Sequence, residues 1–242
     1  MKKSLSIIGY GAFGKFIAGF LKPYFELYAY DVRKTKDIKT KEDGIKFVSL
    51  KEAASKEIVI LAVNMDHFEN VVKKIKRFVR KDSLVIDVCS VKVEPVKIMK
   101  KHLKCQIIAT HPLFGPHSGR NGIKELKIVI YPVKIDATEF NVFKRFLKNR
   151  LKLNVIENTP QEHDREMAFI QVITHLVGRA VNKTNLPDLK LSTYSYEKLK
   201  EMARIVGHDS GALFRTIQRY NKFAPKVRKK FVNTLLKISK SI

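Results

Sequence analysis

The sequence predicts an α/β fold in two parts: a doubly wound, mostly parallel sheet and then an all-helical C-terminal domain. Three observations carry this. Apolar strand-like runs alternate with helix-like segments to about residue 150, the pattern of a parallel sheet covered by helices on both faces. The first strand-like run ends in closely spaced glycines and leads straight into a helix. From Thr159-Pro160 onward no convincing strand recurs. The expected division is into domains 1–155 and 156–242.

The strand at 4–8 runs into Gly9-Tyr10-Gly11-Ala12-Phe13-Gly14, and a helix at 15–21 follows until Pro23 stops it. This is G-x-G-x-x-G in its required strand–turn–helix setting. Gly9 permits the tight turn, Gly11 lets the backbone approach a pyrophosphate, and Gly14 allows close helix–strand packing. The helix start around Ala12 and Phe13 offers N–H groups and a partial positive charge to phosphates. The next strand, 27–30, ends in Asp31, at the spacing from which a carboxylate accepts from a ribose 2′-hydroxyl. A carboxylate there repels a 2′-phosphate, so NAD is the expected cofactor. Arg33 and Lys34 follow at once and keep NADP as the alternative. These features make the first domain Rossmann-type.

Strands at 58–63, 84–88, 106–109 and 127–131 alternate with helices at 66–79, 94–102 and 139–148. Val63, closing the first of these strands, joins the cofactor candidates. Thr159-Pro160-Gln161-Glu162 combines a capping-box pattern with proline at the first helical position. It opens a helix predicted to run to about 182, with His163 in its first turns. A loop at 186–195 and helices at 196–206, 211–220 and 225–239 complete the chain. A domain this small cannot build a generous core alone. It is expected to pack on the first domain, on a second copy in a homodimer, or on both.

The 242 residues carry a net charge of +25. The lysines are dispersed rather than gathered in a tract with interleaved aromatics, so a solvated basic surface that attracts anionic small molecules is predicted, and no nucleic-acid partner. No apolar run approaches the roughly 18 residues of a membrane span. Cys89 and Cys105 are the only cysteines; two make neither a disulfide framework nor a zinc site, which predicts a reducing cytoplasm and no metal.

In open parallel sheets, ligands bind outside the carboxyl ends of the strands. The glycine turn lies at that end of the first strand. Ser90, within Asp87-Val88-Cys89-Ser90-Val91-Lys92, lies just past the strand at 84–88, and His111 lies at the end of the strand at 106–109. Pro112 biases His111 towards extended geometry. Alone, Ser90 reads as a helix cap and His111 as a strand end. On one shared edge they place a hydroxyl and an imidazole beside a nicotinamide, which suits oxidation of an alcohol carbon.

The glycine motif, Asp87–Lys92, His111-Pro112-Leu113-Phe114-Gly115-Pro116, Glu162-His163-Asp164-Arg165 and Thr174-His175 together resemble the prephenate and arogenate dehydrogenases of tyrosine biosynthesis, over nearly the whole chain. The resemblance implies a Rossmann domain followed by a helical dimerisation domain, and NAD-dependent oxidative decarboxylation of prephenate, or alternatively arogenate. It implies that His111 takes the proton of the substrate's 4-hydroxyl and that Ser90 orients His111 and the nicotinamide. It further implies that Arg219, in Phe214-Arg215-Thr216-Ile217-Gln218-Arg219, holds a substrate carboxylate. Arg215 lies four residues earlier on the same helix face. His175, among Ile170, Ile173, Leu176 and Val177, reads by itself as a core or interface histidine, and by resemblance as a substrate-pocket residue. The chain departs from the family at Gly178, where some relatives carry a second histidine. A non-catalytic NAD-binding sensor or a nucleic-acid-associated protein would leave the joint presence of Ser90, His111 and Arg219 unexplained.

Overall fold

The computed structural model describes residues 2–33, 41–42 and 44–242. The chain divides into two compact units, Met1–Pro160 and Gln161–Ile242.

Among the described residues, the first unit holds one nine-stranded sheet. Its strands are β1 (Ser4–Ile8), β2 (Glu26–Tyr30), β3 (Lys41–Glu42), β4 (Ile45–Phe47), β5 (Ile58–Leu61), β6 (Leu84–Asp87), β7 (Gln106–Pro112), β8 (Lys127–Lys134) and β9 (Asn154–Glu157). They lie in the order β3-β4-β2-β1-β5-β6-β7-β8-β9. From β4 through β7 all neighbours are parallel; β8 runs antiparallel to β7 and parallel to β9, and β3 antiparallel to β4. The central strands β5 and β6 are short, nearly continuous Val, Ile and Leu runs, as burial on both faces requires. The helices α1 (Ala12–Leu21), α2 (Leu50–Ala54), α3 (Met65–Ile75), α4 (Val93–His102) and α5 (Ala137–Asn149) connect them. The chain leaves β1 for β2 on one side and later returns as β5 on the other. That reversal opens a crevice at the carboxyl end of β1.

The expected doubly wound, mostly parallel sheet is present. The strands β3, β4 and β9 and the helix α2 were not expected; they are two to five residues long, too short for a periodic signal. β7 is longer than the expected 106–109. Its pairing with β6 ends at Asp87↔Ala109, but β8 continues to pair with it as far as Pro112↔Ile128. His111 therefore sits within a strand, opposite Val129, and not just past one.

The second unit is helical: α6 (Pro160–Met167), α7 (Thr174–Thr184), α8 (Tyr194–Gly207), α9 (Gly211–Arg215) and α10 (Ala224–Lys240). Thr193 caps α8 by accepting from the Tyr196 N–H at 3.3 Å, and Ser210 caps α9 by accepting from the Leu213 N–H at 3.1 Å. Asn185, left-handed at φ 51°, ends α7. The uninterrupted helices expected at 160–182 and 211–220 are each broken by a π-helical turn, Ala168–Ile173 and Thr216–Tyr220. The turns are tied together: Gln218 Nε2 in one donates to the Val172 carbonyl in the other at 2.8 Å. Ala168, Val172, Ile217 and Ala224 form the small core around them. Where α7 meets α8, a Cβ on Gly178 would stand 2.8 Å from Val206 Cβ. That close approach leaves no room for a side chain at this position.

Candidate active site

Gly9 adopts φ +100°, and a Cβ on it would lie 2.3 Å from the Ala62 carbonyl oxygen. A Cβ on Gly14 would lie 2.1 Å from the Gly9 oxygen. Both positions are closed to any side chain, so the turn is drawn tight between β1 and β5. Gly11 differs: a Cβ there would meet only the Arg33 guanidinium, at 3.7 Å. Its outward side is open, which is what close approach of a pyrophosphate needs. Gly11 is the N-cap of α1, no side chain caps the helix, and its first turn has no acid. Ala12 and Phe13 thus begin a helix whose positive end competes with no built-in anion. Val63, half-buried, flanks the turn from the end of β5; its Cγ1 is 3.0 Å from where a Gly9 Cβ would be. These residues fit a dinucleotide's pyrophosphate.

Asp31, at the end of β2, is buried and accepts from the Tyr10 N–H at 2.9 Å. Its carboxylate also accepts from the Arg33 backbone N–H and Nε, each at 3.0 Å. Burial pushes the Asp31 carboxyl up, but the hydrogen bonds from Arg33 and Tyr10 outweigh it and hold the group below the usual carboxylate range. Asp31 is therefore an anion oriented by the glycine turn itself. Arg33 is 73% exposed against 8% for Asp31, so a ribose hydroxyl can compete for the carboxylate. Lys34 lies outside the described residues.

Gly9, Val63, Ser90 and His111 lie at the carboxyl ends of β1, β5, β6 and β7, which are consecutive neighbours. The structure thus brings the first unit's candidate residues to one edge. His111 is 3% exposed and Ser90 half-buried. The segment after His111 is pinned to α1: Phe114 packs edge-on against Phe16 with centroids 6.3 Å apart. Cys89, beside Ser90, is no rival nucleophile, because burial pushes its thiol well above the ordinary range and the nearby Asp87 charge adds to this.

Asp87 and Lys92 have no assigned role in the sequence. Both are buried, at 0% and 1% exposure, and form an ion pair. Lys92 Nζ also donates to the Thr110 carbonyl, and Asp87 Oδ2 accepts from the Cys89 N–H at 3.0 Å. The available signal was a lysine where the helix α4 begins, a position where cations are disfavoured.

In the second unit, His175 lies on α7 and is 7% exposed. Its Nε2 is 3.6 Å from Asp209, and its buried Nδ1 has no hydrogen-bond partner among the described residues. Burial lowers its pKa below the ordinary 6.5; Asp209 opposes that shift and Arg179 adds to it. Arg215 ends α9 and Arg219 lies in the π turn that follows; both are exposed. His163 is buried against Asp164, Nδ1 to Oδ1 2.8 Å, and Asn221 Nδ2 donates to the Asp164 carbonyl at 2.6 Å. That histidine lies buried inside the helical unit.

Known proteins share this sequence pattern. The family profile for the "Prephenate dehydrogenase, nucleotide-binding domain" matches residues 17–152, and that for the "Prephenate dehydrogenase, dimerization domain" matches 159–242. A "Probable arogenate/prephenate dehydrogenase" of Methanocaldococcus jannaschii is 33% identical across 99% of this chain and 56% of its own length. "Arogenate dehydrogenase 1, chloroplastic" of Arabidopsis thaliana is 30% identical across 94% of this chain and 37% of its own. The chain thus spans about half the length, or less, of these relatives. In fold it is similar to the prephenate dehydrogenase of A. aeolicus solved with hydroxyphenyl propionate and NAD+, with a TM-score of 0.76 at 21% identity over 99% of this chain and 90% of that one. With both domains matched and a relative 33% identical across 99% of this chain, the chain belongs to the prephenate/arogenate dehydrogenase family.

Proposed function

We propose that this chain is an NAD-dependent prephenate dehydrogenase, converting prephenate to 4-hydroxyphenylpyruvate and carbon dioxide. The observation that carries the reading is the placement of the glycine turn, Ser90 and His111 on one sheet edge. Bound NAD supplies a two-electron hydride acceptor. Gly9, Gly11, Gly14 and the start of α1 hold its pyrophosphate, Asp31 accepts from the ribose, and Val63 flanks the turn. His111 accepts the proton of the ring 4-hydroxyl as the hydride leaves the same carbon. The bond to the ring carboxylate breaks, carbon dioxide departs, and its electron pair completes the aromatic ring. A buried imidazole held in a strand loses little orientation in doing this. Ser90 orients it. Arg219 holds a substrate carboxylate, with Arg215 as the alternative anchor, and His175 contributes to the substrate pocket.

Arogenate, with an amine in place of the keto group, is the second reading. It is favoured by the arogenate-named relatives, and Gly178 offers no side chain to read the keto group. Arg33 makes NADP the alternative cofactor. The exposed Leu235, Leu236 and Ile238 on α10, within the segment matched by a dimerisation domain, support a homodimer. Among the described residues no helix is long and apolar enough to cross a membrane, and the proposed setting is the cytoplasm.

Initial rates with prephenate and arogenate, each with NAD and NADP, test the assignment. Prephenate with NAD should give the highest kcat/KM. A ten-fold preference for arogenate or for NADP, about 1.4 kcal/mol, would replace that half of the assignment. Turnover of neither substrate would overturn the reading.

A further inference from the structure

Lys92 breaks two local rules and meets a third only through a partner. It occupies the N-cap of α4, where Ser, Thr, Asp or Asn is preferred and its side chain makes no capping bond. It puts a cation at the positive end of a helix. It is 1% exposed, whereas lysine is almost never fully buried unless paired. Violations of local rules concentrate where function demands them.

The surroundings show what the side chain does. The ladder between β6 and β7 ends at Asp87↔Ala109. The next carbonyl of β7, that of Thr110, has lost its place in that ladder and is taken up by Lys92 Nζ, which also pairs with Asp87. Thr110 Oγ1 donates to the Asp87 carbonyl at 2.6 Å, so one short cluster ties the exit of β6 to β7 twice. Thr110 directly precedes His111, and Ser90 lies between Asp87 and Lys92 in the chain. A buried ion pair contributes little net stability, and an apolar pair of similar volume often serves the fold as well. The pair's contribution lies in where it holds the backbone.

We infer that Lys92 is a positioning residue: through Asp87 and the Thr110 carbonyl it sets the placement of His111 relative to Ser90. This rests on the proposed role of His111 as proton acceptor. Lys92→Met alone strands the Asp87 charge and can fail to fold, so the decisive variant is the double substitution Asp87→Asn with Lys92→Met. It should unfold in the same cooperative transition as the wild type and bind NAD unchanged. Its kcat should fall roughly 10–100-fold, the cost of a small misplacement, with KM for substrate little altered. In the unliganded protein, the ¹⁵N signals of the His111 ring, assigned from the His111→Asn spectrum, should shift or broaden while those of the other histidines stay in place. Should the double variant not fold, Lys92→Arg keeps the charge but alters its reach and should move the same readouts.

A folded variant with wild-type kcat, or with His111 signals that superimpose on the wild type, overturns the inference. If the wild type turns over neither substrate, the functional reading fails by itself. The His111 signals then decide about Lys92 alone: movement supports it and superposition overturns it.

Discussion

His111 and Arg219 make different demands on a substitution. His111 is buried in a strand, and in the proposed mechanism it acts on a proton that moves only during reaction. His111→Asn should therefore lower kcat roughly 10²–10⁴-fold, with cofactor affinity retained, because the glycine turn is a separate structure. Arg219 is exposed, and the carboxylate it is proposed to hold carries its charge from the start. Arg219→Ala should raise KM for substrate on the order of 100-fold, the scale of a lost charge-assisted contact, and change kcat much less. Steady-state rates of the two variants separate the roles. An unchanged KM would transfer the anchor to Arg215. The sequence singles out both side chains as candidates, one from His-Pro after an apolar run and the other by resemblance. Lys92 was not given a role, since a buried lysine looks like any other lysine until its partners are placed.

At the scale of elements, α7 carries a titration linked to stability. Burial holds the His175 pKa below 6.5 in the folded chain, so the unfolded chain binds the proton more readily. Stability from this group is full above pH 6.5 and is lost as pH falls below it towards the lowered folded value. The loss is up to about 1.4 kcal/mol per pH unit while only the unfolded chain is protonated. Urea unfolding at pH 7.5 and 5.5 should show a loss that His175→Gln reduces. Equal losses in both proteins would assign the pH dependence to other groups. The element beside it illustrates what pattern reading misses. The 160–182 region was expected as one helix, but a single π turn barely alters the apolar spacing, and the Gln218–Val172 bond across to the second π turn joins residues 46 apart in the chain.

At the scale of the whole molecule, the exposed apolar side chains of α10 predict self-association. Light scattering at micromolar concentration should give a dimer, and Leu235→Glu with Leu236→Glu should give a monomer with intact helical circular dichroism. A monomeric wild type would remove the homodimer from the proposal. The charge of +25 does not oppose this, because repulsion between solvated lysines is screened beyond roughly 10 Å at ordinary salt.

The sequence by itself determined the fold class, the glycine turn, the acid after the second strand, and the edge shared by Ser90 and His111. Each is a local signal: apolar period, a glycine required by backbone sterics, or position relative to a strand's carboxyl end. Only the tertiary structure decided how far β7 extends, because its last residues are held by β8 and not by β6. It also decided that Asp31 is oriented by Tyr10 and Arg33 together, that Gly178 is closed off by Val206, and that Lys92 is buried against Asp87 and the Thr110 carbonyl. Those four facts depend on which residues meet across the fold, and pairing at a distance leaves no periodic trace in the chain.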